Sequence, residues 1–407
     1  MNEPKLRFKA DDGSQFPDWE KKKISDIFSK VKEKNKDGQN QNVITNSAEF
    51  GLINQRDFFD KDIAVDGKTE NYTVIKMGDF VYNPRKSKQA PYGPFNCYHL
   101  EKDGIVSPLY TCLRPKGIAD NEYLQWYFQS GSWYRFIYEN GAQNGARHDR
   151  VGMTDSLMQE IPVHLPQLAE EKQKIAEFLS TIDTVIEKQK ETVSAWEERK
   201  KGVMQKLFSQ EVRFKADDGS EFPDWEEKKI GDICKTFSGG TPKSGEARYY
   251  ENGTISFIRS GEIHDDKTEL RITNDGLNES SAKMVDIGDI LYALYGATSG
   301  EVDISKIKGA INQAILCIRP LNDFNRKFIV EILRHNKETI LRTYLQGGQG
   351  NLSAQIIQSL VFDFPCLAEQ QKIADCLSSV DEVIEKQKAT LSTWKELKKG
   401  LLQQMFV

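Results

Sequence analysis

The chain has 407 residues, of which 38% are hydrophobic and 29% charged, with a formal net charge of −5. That length accommodates two or three domains with cores of their own, and no run approaches the roughly 18 apolar residues of a membrane span. The net charge averages over the whole surface, so it neither establishes nor excludes a nucleic-acid partner. The opening, MNEPKLRFKADDGS, has no apolar stretch, so no secretory signal is expected and the protein is placed in the cytoplasm. The six cysteines form no C-x-x-C pair and several sit in apolar runs, which predicts reduced, buried thiols. The five histidines never fall in an H-x-x-x-H pattern, and no metal or other cofactor is expected.

Taken from the N-terminus, the first distinctive segment is RFKADDGSQFPDWEKKKISDI, residues 7–27. It returns as RFKADDGSEFPDWEEKKIGDI at 213–233, an offset of 213 − 7 = 206. Within it, Asp18 and Glu20 superficially suggest a metal-dependent nuclease. A two-carboxylate Mg²⁺ site, however, draws its ligands from separate converging strands, and here the acids are near neighbours in one segment. FPDWE therefore reads as packing, with Phe16, Phe222, Trp19 and Trp225 buried and the acids capping or solvated.

Next comes a strand, Gly78 to Tyr82, running into a basic loop that ends at Lys88 (YNPRKSK). SPLYTCLRP closes at Pro115, the helix-like EYLQWYFQS follows, and GAQNGARHDR spans 141–150. The second half repeats this order thinly. Gly288 to Tyr292 matches the strand, NQAILCIRP ending at Pro320 matches the second string, KFIVEILRH matches the helix, and QGGQGNLS (346–353) takes the place of the glycine-rich loop. The stretch Gly240 to Glu246 has the glycine spacing of a phosphate loop, but Glu246 stands where lysine is required and Lys243 lies inside, so it reads as a turn.

Each half ends in a long amphipathic segment, 168–208 and 367–406, related over most of its length by 384 − 186 = 198. Ile175, Ile182, Trp196 and Val203 recur every seven residues, reinforced by Leu179, Ile186, Val193 and Leu207; Ile373, Val380, Trp394 and Leu401 take the same places in the second copy. Pro166 and Pro365 precede the two segments. About 41 residues at 1.5 Å each give helices of roughly 60 Å, which need a partner for their apolar stripe. Two near-identical copies favour antiparallel packing about an internal pseudo-twofold axis over an intermolecular coiled coil. Gln189 and Gln387 interrupt the stripe and either meet, fixing the helix register, or face solvent.

The order and duplication of these strings resemble the specificity subunit of type I restriction-modification systems over essentially the whole chain. The carriers are LAEEKQKIAEFL and LAEQQKIADCL, the two FPDWE segments, SGGTPKSGE (238–246), GDILYALYGATSGEV and GAINQAILCIRP. The resemblance implies an α+β protein of two homologous mixed α/β target recognition domains separated by two long antiparallel, coiled-coil-like helices. The expected boundaries are 1–165 for the first domain, 166–209 for the central helix, 210–364 for the second domain and 365–407 for the distal helix. It further implies a non-catalytic subunit that reads a bipartite, asymmetric site on double-stranded DNA. Two methyltransferase subunits dock on it, and two restriction-translocase subunits join through them. No adenine-methyltransferase N-P-P-[FY] string and no G-x-G-x-x-G is present, which speaks against a self-contained enzyme; a scaffold with two ligand-binding domains is the remaining alternative.

Loops that combine Arg, Lys, Asn and Gln place donors on base edges and phosphates. In the first domain they are Arg85, Lys86, Lys88, Asn144, Arg147, His148 and Arg150; in the second, Lys243, Arg248, Arg259, Tyr295, Gln313, Gln346, Gln349 and Asn351. The bland alternative for any one of them is a solvated loop.

Overall fold

The computed structural model describes residues 4–58, 69–117, 121–141, 149–345 and 351–406. The chain divides into two compact units, Met1–Glu191 with Ala389–Val407, and Thr192–Lys388. Two long helices, α6 (Ala169–Phe208, 40 residues) and α12 (Leu367–Met405, 39 residues), each contribute one end to each unit.

In the first unit, β1 (Glu20–Lys23) is followed by α1 (Ile24–Ile27), β2 (Phe28–Lys30), β3 (Ile44–Ser47), β4 (Gly51–Asn54), α2 (Gln55–Phe58), β5 (Thr73–Ile75), β6 (Phe80–Tyr82), β7 (Phe95–Cys97), β8 (Gly104–Val106) and β9 (Thr111–Pro115). Helices α3 (Asn121–Ser130), α4 (Tyr134–Asn140) and α5 (Asp155–Glu160) then lead to β10 (Pro162–Leu165) and α6. The central sheet has the order β2-β9-β6-β7 and is antiparallel throughout. Strand β6 is buried at every position, as a short continuous apolar run requires when both of its faces are covered. One face carries an aromatic cluster in which Phe28, Phe80 and Phe95 from the sheet meet Phe128 and Trp133 from the helical side. The same cluster takes in Ile175 and Leu179 of α6 with Leu402, Met405 and Phe406 at the other end of the chain. Lys398 pairs with Asp183, so within this unit the two helix ends run antiparallel.

The second unit repeats the plan with β11 (Glu226–Lys229), α7 (Ile230–Ile233), β12 (Cys234–Ser238), β13 (Ile255–Ile258), β14 (Arg271–Ile272), α8 (Asn274–Asn278), β15 (Lys283–Val285), β16 (Ile290–Ala293), β17 (Val302–Ile304), β18 (Gly309–Ile311) and β19 (Ile315–Pro320). Helices α9 (Arg326–His335), α10 (Lys337–Leu345) and α11 (Ala354–Ser359) precede β20 (Val361–Phe364) and α12. Its β12-β19-β16-β17 sheet matches β2-β9-β6-β7 strand for strand, and β11–β20 matches β1–β10. The second sheet differs: β14-β13-β18-β15 is a single four-stranded sheet, whereas the first unit has separate β3–β4 and β5–β8 pairs. Met204 and Leu207 of α6 pack here with Ile373, Ala374 and Leu377 of α12, and Lys200 bonds Asp381 at 2.8 Å. The two segments are antiparallel in this unit too.

All six cysteines are free thiols, and burial pushes those of Cys97, Cys112, Cys234 and Cys317 up to about 12. Among the described residues no helix is long and apolar enough to cross a membrane.

Candidate nucleic-acid interface

The faithfully repeated segments meet at a clamp. Arg7 donates to both carboxylate oxygens of Glu171, Nε at 2.7 Å and Nη2 at 3.0 Å, and the Trp19 indole N–H reaches the same carboxylate at 3.0 Å. The second unit repeats it with Arg213 to Glu369 at 3.1 and 2.7 Å and Trp225 to Glu369 at 3.1 Å. Both glutamates are fully buried in the first turn of their helices, where the helix dipole also favours negative charge. One turn on, Lys174 bonds Lys9 O and Asp11, and Lys372 bonds Lys215 O and Asp217. The clamp corrects the packing expected for FPDWE. Phe16 is buried, but Phe222, Trp19 and Trp225 are only half-buried, each indole turning its N–H inward to the buried glutamate; Asp18 and Glu20 are exposed. Aligning LAE with LAE hides the pairing, since the equivalent of Glu369 is Glu171, at 369 − 171 = 198.

The thin skeleton shared by the two domains is a second repeated ion pair. Arg114 holds Asp79 through two bonds of 2.7 Å, and Arg319 holds Asp289 at 2.9 and 2.6 Å. Each aspartate also accepts from a backbone N–H three residues earlier, Lys76 or Asp286, which closes the turn into β6 or β16. Gly78 and Gly288 make that turn with φ of 89° and 93°, a region that suits glycine. Burial works against the charge on Asp289, but the bonds from Arg319 and the Asp286 backbone N–H, together with the Arg319 and Arg326 charges, hold the carboxyl below the usual range. GD and RP thus recur because they lock strands β6–β9 and β16–β19 together, leaving the adjoining loops free to differ.

Those loops emerge side by side. In the first unit Val151 N bonds Pro84 O at 2.8 Å and Lys86 N bonds Asp149 O at 2.9 Å, so the basic loop after β6 lies against the segment that ends GAQNGARHDR. In the second unit Leu352 N bonds Leu294 O at 3.1 Å, joining the loop after β16 to the segment that ends QGGQGNLS. Exposed Arg85, Lys86 and Lys88 are thereby gathered with half-buried Arg150; Arg85 and Arg150 form an antiparallel bridge. Asn144, Arg147, His148, Gln346 and Gln349 lie outside the described residues.

The other residues singled out in the second half are dispersed. Exposed Asn351 adjoins Leu352, and Tyr295 is half-buried against the hydrophobic core. Thr241 bonds Gln313 at 2.7 Å, which brings exposed Gln313 to the loop that carries exposed Lys243. That loop packs tightly, because a Cβ on Gly239 would sit 1.8 Å from Ile311 O. Arg248 bonds Glu246 and Glu279, and Arg259 is held between Glu262 at 3.1 Å and Glu269 at 2.7 Å, which raises its pKa further. Spacing alone gave no sign of these carboxylate partners. Gln189, in the first unit, and Gln387, in the second, are each half-buried on their helices.

Residues 17–194 and 223–392 each match the type I restriction modification DNA specificity domain, and the chain belongs to that family. The matched stretches begin 223 − 17 = 206 and end 392 − 194 = 198 residues apart, the two offsets of the internal repeat. The type I restriction enzyme MjaVIII specificity subunit of Methanocaldococcus jannaschii is 26% identical over 322 residues, 74% of this chain and 73% of its own. The putative MjaX specificity subunit of the same organism is 26% identical over 369 residues, 87% and 76% of the two chains. Among solved structures, the S subunit of a type I restriction-modification system from M. genitalium aligns over 100% of this chain and 99% of its own, with a TM-score of 0.53 and 15% identity. A chain from a study of complex assembly and conformational transition of the type I R-M system covers 96% and 98%, with a TM-score of 0.57 and 18% identity. The expected architecture, two homologous mixed α/β domains with long helices, is therefore the fold of this chain.

Proposed function

We propose that the chain is the non-catalytic DNA-specificity subunit of a cytoplasmic type I restriction-modification enzyme, and that each unit reads one half of a bipartite, asymmetric site. The observation that carries this reading is the contrast within the repeat. The Arg–Glu–Trp clamp and the Asp–Arg pair are reproduced in both units, while the loops they support differ in sequence and length. A fixed scaffold with changed loops suits two readers of different half-sites. The repeated helices serve as spacer and as the docking place of two methyltransferase subunits, through which two restriction subunits join; the domain boundaries at 165, 209 and 364 follow this division of labour. Gln189 and Gln387 are proposed to lie close together and set the helix register, which disulfide trapping of paired cysteine replacements tests.

In the first unit Arg85, Lys86, Lys88, Asn144, Arg147, His148 and Arg150 carry the reading, and in the second Tyr295, Gln346, Gln349 and Asn351, with Lys243, Gln313 and Arg259 from other segments of the same unit. Arg259 would have to exchange its carboxylate partners for DNA. The test is binding of the full chain with its methyltransferase partner to duplexes with one half-site scrambled. Arg85→Ala with Arg150→Ala weakens recognition of one half-site and spares the other. Equal loss at both halves contradicts the reading.

A further inference from the structure

The basic loop after β6 is not held by its own backbone alone. Asn46, on β3 and only 3% exposed, donates to Val81 O at 2.7 Å and to Pro94 O at 3.4 Å, and its side-chain oxygen accepts from Asn96 Nδ2 at 2.7 Å. Asn83, the first residue of the loop, donates through Nδ2 to Asn46 O at 3.1 Å, and its Oδ1 accepts the Arg85 backbone N–H at 3.0 Å. Asn96 also reaches Ser47 O at 3.2 Å. Three asparagines thus join the β3–β4 hairpin, β6 and β7, and Asn83 among them fixes the backbone of Arg85. Gly93 closes the loop from the far side with φ of 88°, and a Cβ there would stand 2.1 Å from Asn83 O. Amides suit this work because each presents two donors and an acceptor without charge, and a satisfied buried network specifies one geometry. In the second unit Ala293 stands in place of Asn83, and its loop closes on itself through Gly300 N to Ala293 O and Ser299 Oγ to Leu294 O.

We infer that Asn46, Asn83 and Asn96 are positioning residues that set base discrimination by the Arg85 loop, in the first unit only. This rests on the reading of that loop as a DNA contact. An arginine that must meet two acceptors of one base loses selectivity when its backbone can shift, without losing its charge for phosphate.

The test uses the full chain with its methyltransferase partner and measures the ratio of affinities for the target duplex and for a duplex with the first half-site altered. Asn83→Ala and Asn96→Ala are each expected to lower that ratio about tenfold, while discrimination at the other half-site stays near wild type. The thermal midpoint holds for Asn83→Ala and falls by a few degrees for Asn96→Ala, which strips the buried Asn46 oxygen of its donor. Asn83→Asp keeps the acceptor for Arg85 N–H but loses the link to Asn46, and is expected to fall between wild type and Asn83→Ala. Arg85→Ala is the control for the underlying reading. If Arg85→Ala lowers the ratio and the asparagine variants do not, the positioning inference is overturned. Should Arg85→Ala leave the ratio unchanged, the loop is not a reader and both claims fall. Equal loss at both half-sites with a lowered midpoint overturns positioning in favour of a merely structural network.

Discussion

Arg7 and Glu171 stand 164 residues apart and form a two-point ion pair at 2.7 and 3.0 Å, and Arg213 and Glu369 repeat it in the second unit at 3.1 and 2.7 Å. Removing Arg7 takes the counter-charge from the buried Glu171 carboxylate and leaves it to the Trp19 indole and the helix dipole, at a cost of about 2 to 3 kcal/mol, whereas replacing both partners with apolar residues of similar volume is often neutral. Arg7→Met is therefore expected to lower the thermal midpoint well below that of the double variant Arg7→Met with Glu171→Met. Calorimetric unfolding of the three proteins checks the order; a double variant less stable than the single one would show that the clamp contributes through its charges rather than by avoiding an orphan.

Lys200 and Lys398 are equivalent residues of the two helices with unlike partners. Lys200 pairs with Glu331 at 2.9 Å, through an oxygen with no hydrogen-bond partner among the described residues, and with Asp381 at 2.8 Å. Lys398 lies over the Trp126 ring at 4.6 Å and pairs with Asp183. Lys200→Met is expected to cost roughly 2 kcal/mol, because Arg334 still satisfies the other Glu331 oxygen. Lys398→Met exchanges a cation–π contact for an apolar one and leaves Asp183 to solvent, which can reach it, and is expected to cost about 1 kcal/mol. Urea unfolding of the two variants gives the comparison.

His264 bonds Asp303 at 2.8 Å, with Glu301 at 3.5 Å from its other nitrogen; Arg334 opposes them and half-burial works against the charge. The Asp303 bond leads and raises the imidazole pKa above its usual value near 6.5. A folded pKa above the unfolded one gives stability that is fully present below about pH 6.5 and is lost as pH rises through the folded value. His264→Gln is accordingly expected to lower the thermal midpoint at pH 6 and to leave it nearly unchanged at pH 9. Melting curves at the two pH values decide this, and an equal shift at both would remove the charged pair as its cause.

Much of this was legible in the sequence because the chain contains its own comparison. The offsets of 206 and 198 separated a copied framework from changed loops, and the seven-residue period marked both long helices. What stayed hidden were pairings across long separations. Asp79 and Arg114 each stood in a recognised string, GDFVY and LRP, yet nothing in spacing says that the two strings bond. Arg7 and Glu171 were likewise both in view, but the matching LAE letters favoured the wrong alignment by one residue. Asn46 lies in a stretch with no counterpart in the other half, so the repeat offered no signal for it. Arg259 was in view as a cation, but spacing gave no sign of the two carboxylates beside it.

The central claim is that each unit reads its own half of a divided site. The most direct measurement is the genome-wide methylation motif laid down in cells that express the chain with its methyltransferase partner, compared with the motif made by the Arg85→Ala, Lys86→Ala, Arg150→Ala variant. The account predicts a motif of two specific halves around an unspecified spacer, with one half blurred or unmodified in the variant and the other half and the spacer length unchanged. A single continuous motif, or a variant in which both halves change together, would contradict it.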